Sequence, residues 1–297
     1  MNGIICINKP QEYTSFDVIA RLRGMTKTKR VGHSGTLDPM ATGVLPVFIG
    51  VATKACDMLP NDDKSYVASF QLGVKTDTLD SSGKVLETKE SDIKKDQILA
   101  LLDDFRGEIE QIPPMYSAIR VNGQRLYDIA RQGREIDRQA RKVTIFELEL
   151  IDFDEESQIG RLSMTCSKGT YVRTIISDIG DKLQVGGMMT ALCRTKACGF
   201  TLEDCITLEQ AQQYTNDRTF EQQLLAVDRI FLHLPKIQLN EVQSIKFLNG
   251  VKLDLNRVIY KNVDSLHRVY DSRKQFMGLA SLDKESMALV IEKMFAR

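Results

Sequence analysis

Between Gly3 and Ile7 the chain runs apolar until Asn8 and Lys9 interrupt it. Such a run is too short for a membrane span or a signal-peptide core and suits a first strand. In TSFDVIARLRG, Val18, Ile19 and Leu22 then recur at helical spacing. Thr14 or Ser15 is placed to cap the first turn, and Gly24 is the expected stop. YVASFQLG alternates and KVTIFELELIDF runs largely apolar, so both read as strands. SDIKKDQILALLDDF instead puts Ile98, Leu101, Leu102 and Phe105 on one helical face. Asn122-Gly123 predicts a hairpin turn in AIRVNGQRLYDIARQG, followed by a short helix that ends at Gly133. GRLSMTCSKGTYVRTIISDIGDKL reads as strand, turn at Gly169 and helix. With many hairpins and few βαβ units, the pattern predicts an α+β fold, an antiparallel or mixed sheet with flanking helices.

The pattern changes after Leu232. FLHLPKIQLN reads as a linker entering a strand, EVQSIKFLNG as a short helix closed by Gly250, and RVIY, LHRVYD, QFMGLASLD and MALVIEKMF as short strands between polar turns. That is the signature of a small appended β-barrel, which divides the chain into a main domain, 1–232, and a C-terminal one, 233–297.

Composition narrows the class. The 297 residues are ample for a buried core, and forty acidic against forty basic side chains argue against indiscriminate binding to nucleic acid. Local charge is less even. From Arg120 to Lys142 seven basic residues face three acidic ones, Lys9 to Arg30 is also basic, and the compensating acids gather around Asp77 to Asp104 and Asp152 to Ser157. Such segregation suits one face for a polyanion. The six dispersed cysteines read as reduced thiols of a cytoplasmic protein. Cys193, Cys198 and Cys205 lie close together, but without C-x-x-C spacing and with three scattered histidines they lack a zinc pattern. No Walker-type phosphate loop or dinucleotide fingerprint is present, so the expectation is chemistry without a cofactor or metal.

The stretch VGHSGTLDPMATGVLPVFIG, residues 31–50, sets one aspartate, Asp38, among glycines that permit tight turns. Taken alone, a loop aspartate beside a proline is an ordinary turn or cap residue. Other segments add chemistry: DDKSYVASF places Tyr66 at a strand start, and SKGTYVRTI sets Tyr171 and Arg173 two apart, on one face if extended. With the loop histidine His33, these are groups suited to hold an unstacked base and act on it.

The stretches GHSGTLDPMATGVLPV, DKSYVASFQLGVKTDTLDSSG, PPMYSAIRVNGQRLYDIARQG and CSKGTYVRTII resemble, in order, the successive motifs of bacterial tRNA pseudouridine-55 synthases, the TruB family. The resemblance spans about three-quarters of the chain, and the tail is similar to a PUA or PUA-like RNA-binding barrel. It implies the pseudouridine synthase fold, a long mixed, largely antiparallel sheet with an active cleft across its middle. It also implies isomerisation of uridine 55 in the T-loop of tRNA by a cytoplasmic enzyme, expected to be a monomer with no obligatory protein partner, no cofactor and no membrane contact. By the same resemblance Asp38 takes the place of the catalytic aspartate, His33 enters the T-loop, Tyr66 stacks on the target base, Tyr171 and Leu192 line the pocket, and Arg173 partners the aspartate. One departure is Glu12 in KPQEYTS, where the family commonly has glycine.

The chemistry agrees with that assignment. A carboxylate can attack C1′, add to C6 of the ring or assist loss of a 2′ proton, and each route needs it ionised in a pocket that excludes water. Other chemistries fit the same residues less well. A phosphoryl-transfer enzyme with an aspartyl intermediate would show D-x-D-x-T where Asp38 is followed by Pro39 and Met40. A glycosidase would want a second carboxylate nearby, and none is evident in the sequence. An RNA-binding chaperone that folds tRNA without essential catalysis accounts for basic patches and a barrel, but gives no reason for Asp38, Arg173 and Tyr66 together.

Overall fold

The computed structural model describes residues 1–59, 63–121, 123–261, 263 and 265–296. Its centre is a ten-stranded sheet, whose main path runs Cys205–Ile206, Gly3–Lys9, Thr42–Ile49, Gly187–Ala197, Lys64–Leu72, Ile159–Cys166, Arg141–Asp154 and Gly107–Gln111. Two junctions are parallel, Cys205–Ile206 with Gly3–Lys9 and Gly187–Ala197 with Thr42–Ile49, and the rest of this path is antiparallel. The sheet is thus mixed and largely antiparallel, as the resemblance implies.

The second parallel junction is a seam of only two residue pairs, Cys193 with Thr42 and Arg194 with Gly43. A Cβ on Gly43 would stand 2.2 Å from the Arg194 carbonyl oxygen, so glycine is what lets the two halves of the sheet meet. The Asp38 loop opens directly onto this seam.

Strands Gly3–Lys9 and Thr42–Ile49 are apolar almost throughout because both of their faces are covered. Ile5, Ile7, Leu45 and Val47 pack against Val18, Ile19 and Leu22 of helix Ser15–Thr26. Ile4, Cys6, Val44 and Phe48 point to the other side, where they meet Phe231, Leu279 and Phe295. Across the seam, Tyr66, Ala68, Phe70 and Leu72, alternate residues of one strand, pack under Val172, Ile175, Ile176 and Ile179 of helix Val172–Lys182. Register carries one face across the seam, from Lys9 through Gly43 and Arg194 to Tyr66. The two helices therefore stand on the same face, with a cleft between them over the middle of the sheet.

Several boundaries differ from the sequence expectation. Thr14 caps the first helix in a reciprocal capping box with Asp17, but the helix runs through Gly24 and ends when Lys27 turns left-handed at φ 54°. RVIY is not a strand; Leu255–Arg257 is a 3₁₀ turn. Asn122 lies outside the described residues, while its hairpin pairs Arg120 with Arg125 and Val121 with Gln124. The C-terminal unit is a five-stranded sheet built around Ile237, Phe247, Val269 and Leu289. It leans on the back of the main sheet through Leu279 and Phe295, so an apolar core crosses the expected boundary at 232/233.

Candidate active site

Asp38 sits in a loop held on both sides. Ser15, at the start of its helix, accepts the Leu37 N–H through Oγ (2.9 Å). The Pro39 carbonyl accepts from the Glu12 N–H (2.9 Å) and from Lys9 Nζ (3.0 Å). Lys9 is fully buried and spends its other two ammonium hydrogens on the Pro10 and Tyr13 carbonyls. Burial pulls its pKa down to about 8 while Asp38 pulls it up, leaving it mostly charged at neutrality. Glu12 occupies the usual glycine position and keeps the turn by adopting a left-handed φ of 66°.

Arg173 is the hub. Its Nε lies 3.1 Å from Asp38 Oδ2, and Nη2 donates to Asp38 Oδ1 at 3.3 Å, a side-on pair. Nη2 also donates to the Tyr116 carbonyl (2.9 Å), and Nη1 donates to the Thr78 carbonyl (3.0 Å) and to Asp80 Oδ2 (3.2 Å). With every Nη hydrogen placed, the guanidinium cannot swivel. Tyr116 leads into the basic segment, so that segment is tied to the hub through its backbone.

Asp80 is a second carboxylate on the same guanidinium. The sequence counts it only among the compensating acids around Asp77 to Asp104, and the structure buries it, with Oδ1 accepting from Thr78 Oγ1 (2.7 Å) and the Ser82 N–H (3.1 Å). Its partner Arg173 lies 93 positions along the chain, so no local pattern announces the burial. The Asp-Ser-Ser-Gly turn is the one local hint, because an Asx turn already satisfies part of a carboxylate.

The cleft is lined by Asp38, Tyr66, Tyr171, Arg173 and Leu192, together with Thr36, Leu37, Thr170 and Val172. Five of the six expected site residues thus converge. Tyr171 and Arg173 do so for a different reason than shared extended backbone: Tyr171 is the extended N-cap residue and Arg173 lies in the first turn of the helix. Tyr171 is clamped by a residue that sequence reasoning missed. The buried Gln111 amide accepts the Tyr171 N–H through Oε1 (2.7 Å) and donates to its carbonyl through Nε2 (3.1 Å). His33 stands apart, ending strand Val31–His33 without lining the cleft. Burial and the Arg194 charge hold its pKa below the ordinary value.

The electrostatics suit an acid group at work. Burial pushes the Asp38 carboxyl above its ordinary pKa, Arg173 opposes this, Asp80 adds to it and Lys9 opposes it again. The side chain still keeps about a third of its surface, 34%, open to the cleft. Burial drives the Tyr66 phenol up to about 12, against the pull of Arg194, so it remains protonated at neutrality. The site therefore combines one accessible carboxylate, a flat aromatic wall and a protonated hydroxyl, with no cysteine or histidine among its lining residues. That set can attack or deprotonate a sugar or a pyrimidine ring.

Comparison with known proteins points the same way. Residues 23–172 match the TruB family pseudouridylate synthase N-terminal domain, and residues 173–233 match the tRNA pseudouridylate synthase B C-terminal domain. The chain is similar to the tRNA pseudouridine synthase B of Clostridium perfringens (strain 13 / Type A), 43% identical over 292 residues that cover 97% of this chain and 98% of the relative. That of Lachnoclostridium phytofermentans is 44% identical over 308 residues, covering 99% of this chain and all, 100%, of the relative. Among solved structures, a chain of a Cbf5-Nop10-Gar1 complex shares the fold, with a TM-score of 0.73 at 24% identity over 99% of this chain and 84% of that one. The chain belongs to the TruB family of pseudouridylate synthases.

Proposed function

We propose that the protein isomerises uridine to pseudouridine in tRNA, at position 55 of the T-loop. The observation that carries this reading is the Asp38 carboxylate, held side-on by Arg173 at the mouth of a cleft walled by Tyr66 and Leu192. The target nucleotide leaves its stack and enters the cleft, where Tyr66 offers a face for its base and Leu192 an apolar floor. Tyr171, fixed by Gln111, closes the opposite side.

Asp38 then acts in the ionised form, assisting cleavage of the N1–C1′ bond. The uracil rotates and C5 is joined to C1′, with no change of oxidation state. Arg173 keeps the carboxylate charged and aimed, and its placement by Thr78, Asp80 and Tyr116 means that no reorganisation is needed at the moment of reaction. His33 fills space vacated by flipped bases of the loop. Residues 1–232 form the catalytic unit and 233–297 an RNA-binding one. The enzyme acts in the cytoplasm as a monomer, without a cofactor.

Exposed Arg120, Arg125, Arg131, Arg134, Arg141 and Lys142 supply the phosphate-contacting surface, which is why an isolated T-stem and loop should suffice as substrate. A protein that only refolded RNA would have no use for a buried arginine that positions a carboxylate.

The test is tritium release from tRNA transcribed with uridine labelled at C5. About one equivalent per tRNA, unaffected by chelator once the tRNA is folded, is expected. No release from either tRNA or the T-arm would overturn the reading.

A further inference from the structure

We propose that Arg194 is a positioning residue for Tyr66, a buried guanidinium that braces the phenol hydroxyl and the Gly35 turn of the Asp38 loop in one frame. The inference deepens the reading of this cleft as a uridine-isomerising site and rests on it.

Arg194 lies two residues beyond Leu192 on strand Gly187–Ala197, on the same face, and directly opposite Tyr66 in the antiparallel register. Its side chain is fully buried. Nε donates to the Val44 carbonyl at 2.8 Å, and Nη2 donates to the Gly35 carbonyl at 3.1 Å. Nη1 is buried without a hydrogen-bond partner, and among the described residues no carboxylate is paired with this guanidinium.

That is an unusual state for a cation. A buried guanidinium is ordinarily neutralised by a carboxylate, because burying a lone charge is costly. Arg173, across the cleft, follows the rule with two aspartates. Arg194 instead has backbone carbonyls as its partners and stands directly opposite Tyr66, where its charge opposes the effect of burial on the phenol. A fixed positive charge behind a phenol strengthens the hydrogen bond that the phenol donates on its other side, toward whatever occupies the cleft. The same fork also sets the loop. Gly35 is left-handed at φ 75°, and a Cβ there would stand 3.3 Å from Nη1 and 3.0 Å from Lys64 Cε, so the turn is closed onto this guanidinium. One side chain thereby ties the loop that carries Asp38 to the strand that pairs with the one carrying Tyr66.

A positioning role through the hydroxyl differs from simple support by being coupled to that hydroxyl. Single-turnover pseudouridine formation on a T-arm RNA would be measured for wild type, Arg194→Lys, Tyr66→Phe and the double variant, with RNA affinity and thermal melting alongside. Arg194→Lys keeps the charge and loses the fork. It should slow the reaction at least ~10-fold at unchanged RNA affinity, and by a several-fold smaller factor in the Tyr66→Phe background, where only the hold on the Gly35 turn is left to lose. Equal losses in the two backgrounds, or no loss in either, would overturn the role of Arg194 while leaving the function standing. Absence of product from wild type would overturn both.

Fluorotyrosines at position 66 give a second reading that leaves Arg194 intact, should its variants fail to fold. With the hydroxyl held as a donor, the rate should change at least ~3-fold as the phenol becomes more acidic, and a flat series would overturn the proposal.

Discussion

Asp38 and Asp80 are two aspartates on one guanidinium, and the protein uses them in opposite ways. Asp80 is sealed, with 4% of its side chain exposed and hydrogen bonds from Thr78, Ser82 and Arg173. Asp38 has the same arginine but keeps 34% of its side chain open to the cleft. A satisfied carboxylate stabilises the fold and sets the arginine. An accessible one pressed above its ordinary pKa is what the proposed reaction calls for, and it is held at some cost to stability. Solvent access and hydrogen bonding, and not residue type or charge partner, separate the two environments.

Removing each carboxylate in turn should break the comparison most sharply. Asp38→Asn is expected to lower single-turnover pseudouridine formation by at least about 10⁴-fold with RNA affinity nearly unchanged, because an amide of the same shape is neither base nor nucleophile. Its melting temperature should hold or rise. The folded-state pKa of Asp38 is raised, so its stabilising contribution falls as pH climbs from the unfolded pKa through the folded one, and the amide removes that penalty. Multiple turnover by this variant would end the assignment.

Asp80→Asn should behave in the reverse sense. Stability drops by about 2 kcal/mol as a hydrogen-bonded charge is lost from beside Arg173, and the rate falls about 10²-fold through misplacement of the guanidinium. Melting and single-turnover assays on the same preparations would show whether the two aspartates separate in this way.

The pH profile sharpens the contrast further. Activity should rise with pH as Asp38 ionises, through a pKa above 3.8. Asp80→Asn removes a like charge, so the limb should move to lower pH. Arg173→Lys weakens the opposing cation and should move it to higher pH. Identical limbs in all three proteins would mean that Asp38 is not the group being titrated.

The smallest effect is expected at the loop's outer anchor. Glu12→Gly relieves a left-handed backbone while keeping the N–H bond to Pro39, and should raise stability by about 0.5–1 kcal/mol without changing the rate. A loss of stability in thermal melts would show that the Glu12 side chain contributes more than its backbone strain removes.

Much of this site was legible before any fold was known. Asp38 stood out because a carboxylate among turn-forming glycines has a local signature, and Tyr66, Tyr171, Arg173 and Leu192 followed through motifs that keep their order along the chain. Asp80, Gln111 and Arg194 were not legible. Each is a polar residue whose burial is produced by elements far away in sequence, and a polar residue bound for the interior looks locally like one bound for solvent. Helix ends erred for a related reason: Gly24 permits a stop, but the helix packs on Ile5, Ile7 and Leu45 and continues to Thr26.

Local structure was written in the sequence itself: alternating strands, a capped helix and glycine turns. Only the tertiary structure decided which aspartate opens to the cleft, which arginine is paired with carboxylates and which is held by backbone carbonyls. Those properties depend on desolvation and on partners brought together by the seam between Thr42–Ile49 and Gly187–Ala197, and neither is a property of any single segment of chain.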